Sequence, residues 1–271
     1  MPGPKVKEIS SATNSLVKVF RHALDEGTTR QGWLALEGPF LVNEALKAPP
    51  PTRLHSVLVA QGAAEKFGAL LDRLPAEAEV AQIPDRLFAQ VASTQTPQGI
   101  AALVELPPYH LESILAAREV VLLIACGVQD PGNLGTILRS AHAFGATAAL
   151  TLKDTVSPFN PKAVRSSAGA VLHLPLLRDL EAREVWGRLR AARVRIVAAD
   201  SHSPSPLAQA DLRGRLAILV GREASGLPPE ISREAHQFLS IPMRAGVDSV
   251  NAATAAGIFL YETARQRGFR Y

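Results

Sequence analysis

Six consecutive apolar residues, 120–125, precede the turn-rich run Gly127-Val128-Gln129-Asp130-Pro131-Gly132. A strand written this way has no polar face, so it needs cover on both sides, the situation of a parallel sheet flanked by helices. The pattern then repeats. A helix with Asn133 as a candidate cap ends at Gly145, a plausible C′ position. Strand 147–152 and a loop carrying Asp154, Ser157, Pro158 and Asn160 lead to a helix from Pro161 through Ser167. Further on the pattern predicts strand 171–174, a charged amphipathic helix over 179–192, and strand 194–199. A Ser/Pro-rich loop at 201–209, strands 216–220 and 238–241, and a terminal helix from Asn251 to Arg267, ended by Gly268, complete this half. Repeated strand-helix units predict an α/β fold with a mostly parallel sheet covered on both faces. Ligands on such sheets sit at the carboxyl ends of strands. The unusual loops lie there, after Ala125, Val220 and Ile241.

The first hundred residues alternate differently. Residues 11–24 read as an amphipathic helix with Leu16, Val17, Phe20 and Leu24 on one face and Thr13 or Asn14 as cap. Strand 32–37, a helix from Gly38-Pro39-Phe40 to Lys47, strand 54–60, helix 63–74, strand 79–83, helix 84–91 and strand 100–105 follow, a compact α/β sandwich. The polar loop 93–99 reads first as a connection and second as an RNA contact. Lys5, Lys7, Lys18, Arg21, His22 and Arg30 form either a solvated face or a phosphate-tracking patch. Pro107-Pro108-Tyr109-His110 breaks the pattern as a linker. It divides the 271 residues into domains 1–107 and 108–271, in line with a length prior of about two domains.

Composition narrows the chemistry. The single cysteine, Cys126, lies in an apolar strand, so it reads as a buried thiol and excludes an internal disulfide or a cysteine metal cluster. The formal net charge of +4 permits a phosphate-rich partner without establishing one. No apolar run approaches the roughly 20 residues that span a bilayer. Met1-Pro2-Gly3-Pro4-Lys5 lacks the apolar core of a signal peptide, so the expected location is the cytoplasm, with no membrane association. The glycine fingerprints of dinucleotide and nucleoside-triphosphate sites are absent, as are zinc-spaced histidines and a nucleophile elbow. No metal is expected. What remains is glycine, amide, hydroxyl and one arginine. Gly221 and Gly226 bracket Glu223 and permit close approach to a ligand; Asn133 and Asn251 can donate and accept; Arg139 offers a planar fork of donors. Each also has a plainer reading, as strand end, helix cap or surface ion pair. A site without metal or nucleophile suits group transfer between two oriented substrates.

In combination these residues resemble the three motifs of the SpoU-type (TrmH-like) RNA 2′-O-ribose methyltransferases of the SPOUT superfamily. Asn133-x-Gly135-x-x-x-Arg139 resembles the first, and Leu219-Val220-Gly221-Arg222-Glu223-Ala224-Ser225-Gly226-Leu227 the second. Ile241-Pro242-Met243 followed by Ser249-Val250-Asn251-Ala252-Ala253 resembles the third. Glu37-Gly38-Pro39 and the α/β pattern make the first domain similar to the family's ribosomal-protein-like substrate-binding domain.

The resemblance implies a deep C-terminal trefoil knot, an exception to un-knotted topology, and a homodimer with its active site at the subunit boundary. It implies S-adenosylmethionine as methyl donor, held by Gly221, Ile241 and Val250 through backbone groups, with Leu219, Val220 and Met243 lining the adenine or its approach. It makes Arg139 the catalytic arginine, with Asn133 and Glu223 shaping its region and Ser249 and Asn251 completing the pocket. Arg139 would position the phosphate of the target nucleotide and assist deprotonation of its 2′-hydroxyl; a guanidinium stays protonated, so positioning is the firmer role. The stretch 244–248 departs from the family by its charged Arg244 and Asp248, which bears on donor-loop contacts or RNA choice. The expected substrate is ribosomal RNA, most readily 23S. The alternatives are a transfer-RNA ribose methyltransferase, a non-catalytic RNA-binding protein on the same fold, and a nucleotide-dependent oxidoreductase, against which the missing glycine fingerprint argues.

Overall fold

The computed structural model describes residues 6–222 and 226–270. The expectations resting on Met1 to Lys5 and on Glu223, Ala224 and Ser225 therefore lie outside the described residues. The chain divides between Pro108 and Tyr109 into two units, with Phe159–Arg165 grouped with the first.

In the first unit the elements run β1 (Val6–Glu8), α1 (Ser15–Glu26), β2 (Leu34–Glu37), α2 (Pro39–Ala45) and β3 (Arg53–Ala60). They continue with α3 (Gln61–Ala64), α4 (Gly68–Leu71), β4 (Glu79–Ile83), α5 (Asp85–Val91) and β5 (Ile100–Glu105). The sheet order is β1-β4-β3-β5-β2. β1, β4 and β3 are parallel, while β5 runs antiparallel to β3 and β2. The helix read at 11–24 starts later, at Ser15, because Asn14 Oδ1 accepts from the Leu16 N–H at 2.9 Å. It buries Val17, Phe20, Ala23 and Leu24. It stops at Gly27, whose φ of 91° is a left-handed cap. A side chain there would also strike the Phe159 carbonyl oxygen, 1.8 Å from an ideal Cβ. The helix expected at 63–74 is instead two short ones, α3 and α4, the second beginning at Gly68, a poor helix former. β1 escaped the sequence reading because all three of its residues are exposed and show no alternation. The loop 93–99 is tied down by Glu37, whose carboxylate accepts from the Ser93 N–H at 2.8 Å, the Ser93 hydroxyl at 2.6 Å and the Thr94 hydroxyl.

The second unit begins with α6 (Leu111–Leu115), β6 (Val121–Ala125), α7 (Pro131–Ala143) and β7 (Ala148–Leu152). After α8 (Pro161–Ser166), which belongs to the first unit up to Arg165, come β8 (Leu176–Leu180), α9 (Ala182–Ala191), β9 (Arg195–Ala199) and β10 (Leu216–Val220). α10 (Pro229–Ser232), β11 (Gln237–Leu239) and α11 (Ala252–Gln266) close the chain. The sheet order is β11-β9-β10-β6-β7-β8 and every pairing is parallel. β6, β7 and β10 are buried along their whole length, as their unbroken apolar runs require. Cys126 is fully buried, and desolvation raises its thiol pKa far above the ordinary value.

Two expectations need correction. The apolar run 171–174 is not a strand but contains a 3-10 turn, Ala170–Leu172; the strand begins beyond Pro175, at Leu176. Gly169 in the left-handed region and Pro175 bracket that run and keep it from extending. Asn133 is not the cap of α7. Asp130 is, accepting from the Asn133 N–H at 2.8 Å, because Pro131 occupies the first turn, where its missing N–H costs nothing.

Candidate active site

The carboxyl ends of β9, β10 and β11 lie side by side because those strands are neighbours in the sheet. The chain leaving each end forms one wall of a cavity of about 500 Å3. Ala199, Asp200, Ser201 and His202 come from the end of β9; Val220, Gly221 and Arg222 from β10; Leu239, Ile241 and Met243 from β11 and beyond. Asp248, Ser249 and Val250 add the approach to α11, whose Ala252, Ala255 and Phe259 also face the cavity.

The walls are fixed by backbone pairing. The Asp200 N–H donates to the Leu239 carbonyl at 3.0 Å, and the Ser203 hydroxyl donates to the Phe238 carbonyl at 2.7 Å. The Ser240 N–H donates to Ser205 at 2.9 Å, and Leu207 returns a bond to the Ser240 carbonyl at 2.8 Å. On the other side Arg222 and Gly226 exchange two backbone hydrogen bonds, at 2.9 and 3.1 Å. Gly221 sits against that turn. An ideal Cβ on it would lie 2.5 Å from the Gly226 carbonyl carbon and 2.7 Å from the Leu227 nitrogen. Glycine is thus demanded by close backbone approach. Such a cavity, with apolar walls from Val220, Leu239 and Phe259 and polar groups from backbone, Asp200, Asp248 and Ser249, suits a ligand with a flat apolar body and a polar tail. Its size lies in the range of cofactor sites.

Of the residues singled out in the sequence, Val220, Gly221, Ile241, Met243, Ser249 and Val250 line this one cavity. Leu219 does not; its side chain is fully buried in the core beneath. Asn133 and Asn251 come together elsewhere. The Asn251 Nδ2 group donates to Asn133 Oδ1 at 3.0 Å, and both line a second cavity of about 460 Å3 between α7 and α11. Asn251 is also the cap of α11, its Oδ1 accepting from the Ala253 N–H at 2.8 Å and the Thr254 N–H at 3.4 Å. Arg139 is exposed on α7 and lines neither cavity. It makes no hydrogen bond or ion pair with any described residue. Glu223 lies outside the described residues. Sequence reading quoted Arg222 within the second motif without giving it a role, and missed Asp200, Ser201 and His202; these three follow a predicted strand, and the rule that ligands gather at strand ends was the only signal for them. Among the described residues no cluster of side chains could hold a metal ion. Nor is any helix among the described residues long and apolar enough to cross a membrane.

Asn251 holds two elements at once, and its variants separate them. Asn251→Ala removes the cap and the tie to α7, at a cost of about 1 kcal/mol for the cap alone. Thermal melting is expected to fall by about 2–4 °C for each kcal/mol lost in a chain of this size. Asn251→Asp keeps the cap but loses the donor to Asn133, so its melting temperature should lie between those of Asn251→Ala and the parent.

A sequence model of the SpoU rRNA Methylase family matches residues 120–261, and one described as RNA 2′-O ribose methyltransferase substrate binding matches residues 35–110. The 23S rRNA (guanosine(2553)-2′-O)-methyltransferase RlmP of Bacillus subtilis is 32% identical over 262 residues, covering 94% of this chain and 98% of the relative. The 23S rRNA (guanosine-2′-O-)-methyltransferase RlmB of Escherichia coli is 32% identical over 231 residues, covering 83% of this chain and 95% of the relative. Among solved structures, an AdoMet-bound rRNA methyltransferase from Sinorhizobium meliloti superposes with a TM-score of 0.80 at 29% identity, covering 96% of this chain and 98% of that one. The three motifs, the parallel sheet and the cavity at its strand ends thus meet in one assignment: the chain belongs to the SpoU family of RNA 2′-O-methyltransferases, whose methyl donor is S-adenosylmethionine.

Proposed function

We propose that this enzyme methylates a ribose 2′-hydroxyl of 23S ribosomal RNA, working as a homodimer in the cytoplasm. The observation that carries the reading is the cavity in which Gly221, Ile241, Met243, Ser249 and Val250 converge from two chain-distant loops. The likeness to the 23S enzymes runs through both units, residues 35–110 included, which supports ribosomal RNA over the transfer-RNA alternative. On this reading residues 1–107 hold RNA and residues 108–271 carry the transfer.

S-adenosylmethionine brings a sulfonium-bound methyl group that is already electrophilic. The chain's own residues hold and orient. Gly221, Ile241 and Val250 would bind the donor by backbone groups, while Val220 and Met243 give apolar walls and Leu219 supports them from the core. Ser249 and Asp248 stand at the polar rim. Arg139 would grip the phosphate of the target nucleotide by its planar fork, an arrangement suited to bidentate contact. The Asn133–Asn251 bond holds the starts of α7 and α11 together and so fixes the helix that carries Arg139 relative to the donor loop. Glu223 is proposed to shape the same region.

Arg139 lines neither of the two cavities described above, which supports completion of the site by a second copy. The matching surface is the α7–α11 face, where Ile258 and Tyr261 are exposed beside Phe144. We further propose the C-terminal trefoil knot. It is supported by the sheet order, in which β10 lies inside β9 and β11 at the edge, while α11, which follows β11, packs back on α7.

The test is transfer of labelled methyl from S-adenosylmethionine to 23S ribosomal RNA lacking the modification, with nuclease mapping of the product. Label in one ribose-methylated fragment is expected. Label in transfer RNA alone would keep the enzyme and overturn the substrate; donor binding without label in any RNA would favour a binding protein.

A further inference from the structure

The first unit carries a cleft that the methyl-transfer site does not use. Its volume is about 780 Å3, and it lies between the start of α1, strand β1 and the beginning of β3. Two aromatic rings line it. Trp33 and His55 stack at 3.7 Å between centroids with their planes 15° apart, and both remain partly exposed. The His55 ring is held by Glu105, which accepts from Nε2 at 3.2 Å. Beside the stack the exposed Gln31 also lines the cleft, and its amide can both donate and accept. Lys7, well exposed at the rim, is bonded to Glu79 at 2.7 Å.

We infer that this cleft is a subsite for a single unstacked nucleobase of the RNA. A nucleobase has the two features the cleft asks for: a flat π-face to extend the Trp33–His55 stack, and an edge of donors and acceptors for the Gln31 amide. Proteins that read single-stranded RNA splay bases onto aromatic and histidine side chains in this way. Lys18, exposed on the outer face of α1, supplies positive charge for an adjoining phosphate, while Lys7 at the rim is already paired with Glu79. The subsite thereby fixes where the substrate strand is gripped outside the reaction centre. It rests on the RNA-methylation reading for its biological role but not for its binding chemistry.

The experiment uses the full chain. With Trp186 replaced by phenylalanine, Trp33 is the one tryptophan left, and its fluorescence is titrated with a short oligoadenylate. Quenching that saturates is expected. In parallel, Trp33→Ala should weaken binding of 23S ribosomal RNA by about 5- to 100-fold, the span found when one stacking partner is removed. It should raise KM for RNA with kcat and donor affinity unchanged. Trp33→Phe should restore most of the loss, and Gln31→Ala should weaken binding without lowering the melting temperature. No quenching, with RNA affinity unchanged in both Trp33→Ala and Gln31→Ala, would overturn the subsite. Quenching and a Trp33-dependent affinity in a chain that transfers no methyl to 23S RNA would leave the subsite standing and defeat the function proposed above.

Discussion

A Gly221→Ala chain is expected to fold and to bind S-adenosylmethionine about 10- to 100-fold more weakly, as measured by calorimetric titration, because overpacking against backbone costs about 1–3 kcal/mol. The new methyl has nowhere to go. It would sit 2.5 Å from the Gly226 carbonyl carbon and 2.6 Å from its oxygen, atoms that cannot rotate aside. Relief has to come from moving the turn at Arg222 and Gly226, whose two mutual hydrogen bonds define one wall of the donor cavity. The effect should therefore concentrate on the donor rather than on global stability. Gly187→Ala provides the contrast. That glycine lies inside α9, has open space around an added Cβ, and does not line the donor cavity. Alanine there should leave donor affinity unchanged and stabilise the chain by up to about 1 kcal/mol, the helix-propensity difference. Equal donor affinity in Gly221→Ala and the parent would remove Gly221 from the donor site.

The second unit was legible in the sequence to the extent that its strands are buried on both faces. β6, β7 and β10 are runs of apolar residues that only a parallel sheet accommodates, and they lie where those runs predict. β8 was not legible. The apolar run before Pro175 has the right composition for a strand, and only the left-handed Gly169 and the proline itself reveal that the strand starts later. β1 carries no local signal at all: three exposed residues become a strand through pairing with β4, some seventy residues away in the chain. Periodicity reports burial, so an element made by pairing alone is silent to it.

The site divides along the same line. The loops after β10 and β11 carry glycine, proline and amide signals of their own, and Gly221, Ile241, Met243, Ser249 and Val250 do converge. Asp200, Ser201 and His202 converge with them only because β9 lies between β10 and β11, and strand order is a property of the whole sheet. Leu219 shows the opposite failure. It belongs to the motif, but alternation along β10 turns its side chain into the core while Val220 meets the cavity.

Arg139→Ala is expected to lower kcat for methyl transfer by about 10²- to 10⁴-fold, the usual cost of losing a group that orients or assists at the reacting centre, while donor affinity stays at the parent value. The geometry separates the two effects. Arg139 stands exposed on α7, away from the residues that line the donor cavity, so its removal leaves that cavity intact. An arginine with no described partner keeps all five of its N–H donors available for a phosphate. Arg139→Lys retains the charge but not the planar fork, so on the positioning reading it should recover RNA affinity more than turnover. If the second copy supplies this group, a heterodimer answers the question directly. One protomer carries Arg139→Ala and its partner carries Gly221→Ala. With the arginine acting across the boundary, both defects fall in the same composite site, and the other site keeps an intact donor cavity and an intact arginine; about half the parent activity survives. With the arginine acting within its own chain, each site holds one defect and activity falls to the level of the single variants. Loss of donor binding in Arg139→Ala would reject the division of roles in either arrangement.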